Sequence, residues 1–128
     1  MTTLTEVLHA GGYIQSESNG TRSRETGTLI SGQDLIAGTV LGLITASSKL
    51  TQHDQDGADG SEVAYGILHA AVDASGGDAD CVITRRDTEV TEADLTWQAD
   101  INAGEKTTAV AELAALGIIS RASVTPVP

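Results

Sequence analysis

Between Thr26 and Arg86 the apolar residues come in short runs, each cut off by glycine or by an aspartate-rich loop. Thr26 to Ser31 is β-biased, and Gly32-Gln33-Asp34 reads as a turn. Gly38 to Ala46 reads as a buried strand kinked at Gly42, and Lys49 to Gln52 as its return. After the polar loop Asp54–Gly60, the run Val63 to Val72 is apolar enough for helix or strand; Gly66 and the flanking loops favour a central strand. Asp80 to Arg86 is a further strand, with Asp87 to Val90 turning or continuing it at an edge. Strand and helix do not alternate, so a doubly wound sheet is disfavoured and a mainly β domain is expected.

Helix signals come late. Thr91-Glu92-Ala93-Asp94 has capping-box spacing with Asp in the Glu place, which suggests a short helical turn over Ala93 to Trp97. Thr108 to Leu116 carries Val110, Leu113 and Leu116 on one stripe, with Gly117 as its left-handed stop. Ile118 to Ala122 then reads as a last strand. The expected fold class is mainly β with one or two short helices, a compact domain preceded by a flexible N-terminal arm.

The 128 residues allow one core, and that core is thin, because the chain has one Trp, two Tyr and no Phe. A thin aliphatic core makes self-association a reasonable expectation. As the largest apolar group, Trp97 is assigned to the core or to a subunit seam. The 18 acidic residues against 7 basic ones give a net charge of −11. Such a surface repels phosphate, so nucleic acid is not expected as a partner. No run approaches a membrane span and Met1 to Leu8 has no cationic leader, so no membrane partner is expected. Cys81 is the single cysteine, excluding an intrachain disulfide and suiting a reducing cytoplasm.

An EF-hand count from Asp54 fails, since Ala58, Asp59 and Tyr65 occupy places that need a ligand, a glycine and a bidentate acid. A looser cation site from Asp54, Asp56, Asp59 and Glu62 stands against the plainer reading of a solvated turn. His9, His53 and His69 lack metal-ligand spacing, and Cys81 beside Asp78 and Asp80 suits a buried strand residue better than a nucleophile. No catalytic residues, metal or cofactor are expected, and the chain is not expected to be an enzyme. A carrier hairpin at Gly38–Ile44 lacks a lysine at its tip, and a hydrolase using the acidic loop has no further support.

The region from Met1 to Glu25 is polar with isolated apolar residues, consistent with a frayed terminus or with a docking arm whose Tyr13-Ile14 pair seeks a partner. Its Gly12-Tyr13-Ile14-x-Ser16-Glu17 and Ser23-Arg24-Glu25, followed by Ala37-Gly38-Thr39-Val40-Leu41-Gly42, resemble the head decoration proteins of lambda-like tailed bacteriophages. Ala64-Tyr65-Gly66-Ile67-Leu68 with Val72-Asp73-Ala74, Val82 to Arg86, Leu95-Thr96-Trp97 and Leu113 to Ile118 continue the likeness in order, over residues 10–122. The resemblance implies a β-clip-like domain that forms a homotrimer on the outside of the expanded head, made in the host cytoplasm and stabilising the shell against DNA pressure. It also implies an arm that pairs with strands of the major capsid protein. On this reading residues 1–25 are the capsid-binding arm, 26–124 the trimeric body and 125–128 a frayed end. The capsid-binding candidates are Tyr13, Ile14, Ser16, Glu17, Ser23, Arg24, Glu25, Leu29 and Ile30, and Trp97, Leu95 and Ile67 are the core or trimer candidates.

Overall fold

A computed structural model describes residues 9–121. Five strands close into a small barrel in the order β2-β5-β4-β6-β8: β2 (Arg24–Leu29), β4 (Val40–Ile44), β5 (Lys49–Gln52), β6 (Gly66–Leu68) and β8 (Ala79–Thr84). The longest pairing is antiparallel, β2 against β8, running from Arg24 opposite Thr84 to Leu29 opposite Ala79. Closing the sheet on itself satisfies strand edges that would otherwise be open. Its interior holds Leu29, Leu41, Leu50, Leu68, Ala74, Cys81 and Ile83, all small or aliphatic, as the shortage of aromatic residues required.

Cys81 is buried in β8, where burial and the nearby Asp80 push its thiol pKa up. The mainly β class therefore holds, with individual runs corrected. Val63 to Val72 is not one strand: only Gly66–Leu68 enters the barrel, Val63 is exposed, and Val72–Asp73 (β7) leaves to pair with β3 (Asp34–Leu35).

A three-stranded sheet packs beside the barrel in the order β1-β9-β10, from β1 (Ile14–Glu17), β9 (Thr88–Thr91) and β10 (Ile118–Arg121). β9, expected as a turn or an edge, is its central strand, antiparallel to β1 and parallel to β10. The break from β8 is made at Asp87, whose φ of 52° reverses the chain, with Gly117 (φ 90°) close against it. A second apolar cluster joins barrel, sheet and helix: Tyr13, Val40, Ala64, Ile67, Val90, Leu95, Ala109, Leu113 and Ile118.

The helix α1 spans Ala103–Ala115, a turn and more longer than its apolar stripe indicated. Asn102 accepts from the Glu105 N–H at 2.8 Å while Glu105 accepts from the Asn102 N–H at 3.0 Å, a complete capping box. The inward residues are Ala109 and Leu113, with Val110 only half-buried, so the stripe is narrower than expected. The other proposed box is not formed: Thr91 makes no side-chain cap, and only a 3-10 turn forms at Glu92–Asp94. Asn102→Ala should therefore lower stability by about 1 kcal/mol, whereas Asn102→Asp should keep it. Urea midpoints of the two variants check this.

Candidate functional site

The segment expected to dock is largely built into the body. Tyr13 has no exposed surface, and its hydroxyl shares a 2.6 Å hydrogen bond with Thr84 Oγ1 of β8. Burial pushes its pKa up to about 12, so it remains a neutral phenol. Ile14 packs half-buried on the same cluster, and the register of β1 slips between Ile14 and Ser16, a bulge that leaves Gln15 Nε2 donating to Thr91 Oγ1 at 2.9 Å. The described part of the expected arm, residues 9–25, is thus a turn, an edge strand, a loop and the start of a barrel strand. The reason is burial: Tyr13 is one of the few large side chains available to a thin core. Residues 1–8 of the expected arm, and the expected frayed end at 125–128, lie outside the described residues.

Of the nine capsid-binding candidates, Tyr13, Ser23 and Leu29 are fully buried and have no face to offer a partner in this fold. Ser23 instead bridges the β1–β2 corner: its hydroxyl donates to Glu17 Oε2 at 2.6 Å and its carbonyl accepts from the Arg85 N–H at 2.8 Å. Glu17 also receives the Arg24 guanidinium, Nη2 to Oε1 at 2.6 Å. Burial tends to raise the Glu17 pKa, but the hydrogen bonds from Arg24 and Ser23 outweigh it and hold the carboxyl below its ordinary value. Glu25 pairs with Arg86, which also donates to the Arg22 carbonyl at 2.9 Å. Ser16 is exposed, donating to Glu89 at 2.9 Å, and Glu89 in turn pairs with Arg121 at 2.7 Å. The structure therefore pairs Glu17 with Arg24 and sets Ser16 on Glu89 and Glu25 on Arg86 as separate polar contacts, while Ile30 stands apart, half-buried, donating its N–H to the Leu50 carbonyl at 2.9 Å.

Ile67 and Leu95 lie in the second apolar cluster; Trp97 packs half-buried on its rim, edge-on to His53 with ring centroids 6.2 Å apart. Sequence reasoning missed Thr84 as the partner of Tyr13, and no local signal pairs residues so distant in the chain. The acidic loop is a scaffold for its own turns. Asp54 accepts from the Asp56 N–H at 3.0 Å, Asp59 from the Ser61 hydroxyl at 2.6 Å, and Glu62 from the Gly60 N–H at 2.8 Å. Among the described residues no three His, Cys, Asp or Glu side chains converge as metal ligands, and no helix is long and apolar enough to cross a membrane.

The family model for bacteriophage lambda head decoration protein D matches residues 3–118. The chain belongs to that family. Search among curated proteins returns no match. As a head decoration protein it associates with the phage capsid and is a structural component of the virion. The match begins at residue 3, before the first described residue, so residues 3–8 belong to the family pattern together with barrel and helix.

Proposed function

We propose that this head decoration protein binds the outside of the expanded head as a homotrimer and braces the major capsid protein against internal DNA pressure. In this reading its N-terminal segment, residues 1–8, adds as a strand to the capsid surface. The observation that carries it is the family match over residues 3–118, in a chain whose N-terminal segment enters the body through an edge strand, β1. Strand addition supplies backbone hydrogen bonds and pockets for alternate side chains, and Leu4, Val7 and Leu8 are apolar side chains available for them.

Ordering such a segment costs about 2–5 kcal/mol, so one copy binds weakly. Three linked copies raise avidity by roughly 10² to 10⁴ where the sites match their spacing. Exposed Ser16 and the half-buried side chains of Glu17, Arg24 and Glu25 support a secondary contact, and half-buried Trp97 supports a place at the subunit seam.

Deleting residues 2–8 should leave the thermal midpoint of the body unchanged and abolish co-sedimentation with expanded heads. Undiminished co-sedimentation would sink the docking role of the segment. A monomer in sedimentation velocity at micromolar concentration would remove the trimer.

A further inference from the structure

His69 lies where the described chain first joins the body. Its N–H donates to the Val82 carbonyl at 3.0 Å and its own carbonyl accepts from the Gly11 N–H at 2.8 Å, so it is clamped between β8 and the turn that precedes β1. The ring faces that turn. A Cβ placed on Gly11 would stand 2.9 Å from His69 Cε1 and 3.6 Å from Nδ1, and Gly11 holds a φ of 68°. Glycine is needed there both for the left-handed backbone and for the room above the imidazole.

Beneath this lid Nδ1 is buried and has no hydrogen-bond partner among the described residues. Among the described residues the charged groups that face the ring are Arg24 from β2 and Glu17 from β1, themselves paired. From the turn comes His9, whose carbonyl accepts from the Gly12 N–H at 2.8 Å, and β8 contributes the Val82 backbone.

A neutral imidazole with its proton assigned to Nε2 leaves only an unused lone pair at Nδ1. A protonated ring carries N–H on both nitrogens and would bury a charged donor without an acceptor, close to a guanidinium. We propose that His69 is a proton-operated latch on the N-terminal segment: neutral, it seats the Gly11 turn; protonated, it lifts that turn and frees residues 9–12.

Burial and then Arg24 hold the His69 pKa below its ordinary value, against a smaller opposing pull from Glu17. With the folded pKa below the unfolded one, the latch contributes its full stability above about pH 6.5 and loses it as pH falls through the depressed value. Freeing four residues would lengthen the reach of the segment by about 13 Å at full extension. The latch stands on this geometry alone; only its effect on docking rests on the function proposed above.

Amide hydrogen exchange of the whole chain, corrected for intrinsic rates, tests it. Protection at Gly11 should fall at least about tenfold from about pH 7.5 to about pH 5, should stay constant in His69→Gln, and should fall as in wild type in His9→Gln. Unchanged wild-type protection, a fall that persists in His69→Gln, or one that vanishes in His9→Gln would overturn the latch. If His69→Gln does not fold, an NMR titration of the wild-type imidazoles decides. A Gly11 amide shift tracking the His69 midpoint supports the latch, and one tracking another histidine removes it. Failure of the wild-type chain to bind heads at either pH would refute the proposed function while leaving the exchange result standing.

Discussion

Tyr13→Ala should destabilise the body by about 3–5 kcal/mol, the cost of emptying a large aromatic site in a core that has few means of collapsing around it. The ring lies among Val40, Ile67, Val90, Leu113 and Ile118, which come from the barrel, the sheet and the helix, so the cavity would open at the junction of all three. Removing the phenol also strips Thr84 Oγ1 of its 2.6 Å partner in a site without exposure. Tyr13→Phe separates these contributions: it keeps the packing and loses about 1–3 kcal/mol through the unpaired Thr84 hydroxyl. Urea denaturation with an unchanged slope reads both. Wild-type stability in Tyr13→Ala would mean that residues 9–17 do not pack on the body, and would return Tyr13 to the docking segment. A deletion reaching residue 25 would remove Tyr13, β1 and the first residues of β2, so it cannot serve as a clean test of docking.

Gly60→Ala is the second change with a large expected effect. Gly60 has a φ of 110°, and a Cβ there would run into the Leu43 carbonyl and the Thr45 hydroxyl and stand 3.0 Å from the Thr45 nitrogen. Two penalties combine: overpacking against backbone, about 1–3 kcal/mol, and a left-handed conformation, about 1–2 kcal/mol. Backbone atoms cannot rotate out of the way, so the loop must move. Its hydrogen bond to the end of β4, Thr45 N–H to the Asp59 carbonyl at 2.9 Å, and the bond that closes its base, Asp54 N–H to the Ser61 carbonyl at 3.0 Å, would strain with it. A fall in thermal midpoint of roughly 10 °C or more is expected, with a change in the fluorescence of Trp97, which touches His53 at the foot of the same loop. An unaltered midpoint would show that the loop is not held against β4.

The parts legible in the sequence were those whose signals are local. Lys49–Gln52 appears as a strand with the expected bounds, because an apolar run, a turn and a return are all encoded within a few residues. The start of α1 lies ahead of the apolar stripe because its first turn, Ala103-Gly104-Glu105-Lys106, carries no large apolar side chain; the Asn102/Glu105 box is the signal available. β9 was misplaced since its four residues are recognisable only beside β1 and β10, neither of which is adjacent to it in sequence. The same non-locality hid the place of Tyr13. In a polar neighbourhood an isolated aromatic reads as a lure for another molecule, whereas here it closes this molecule's own core.

The three-stranded sheet also sets an order of events. β1 is made early in synthesis, yet Ile14 pairs with Val90, and β9 is flanked on its other side only when Ile118 to Arg121 arrive. Such distant pairings carry a loop-closure cost that local hairpins avoid, so they form late and slowly. β1 therefore waits for Thr88–Thr91, far downstream in sequence, before it is anchored. A product stalled before Thr88 would carry β1 without the strand it pairs with.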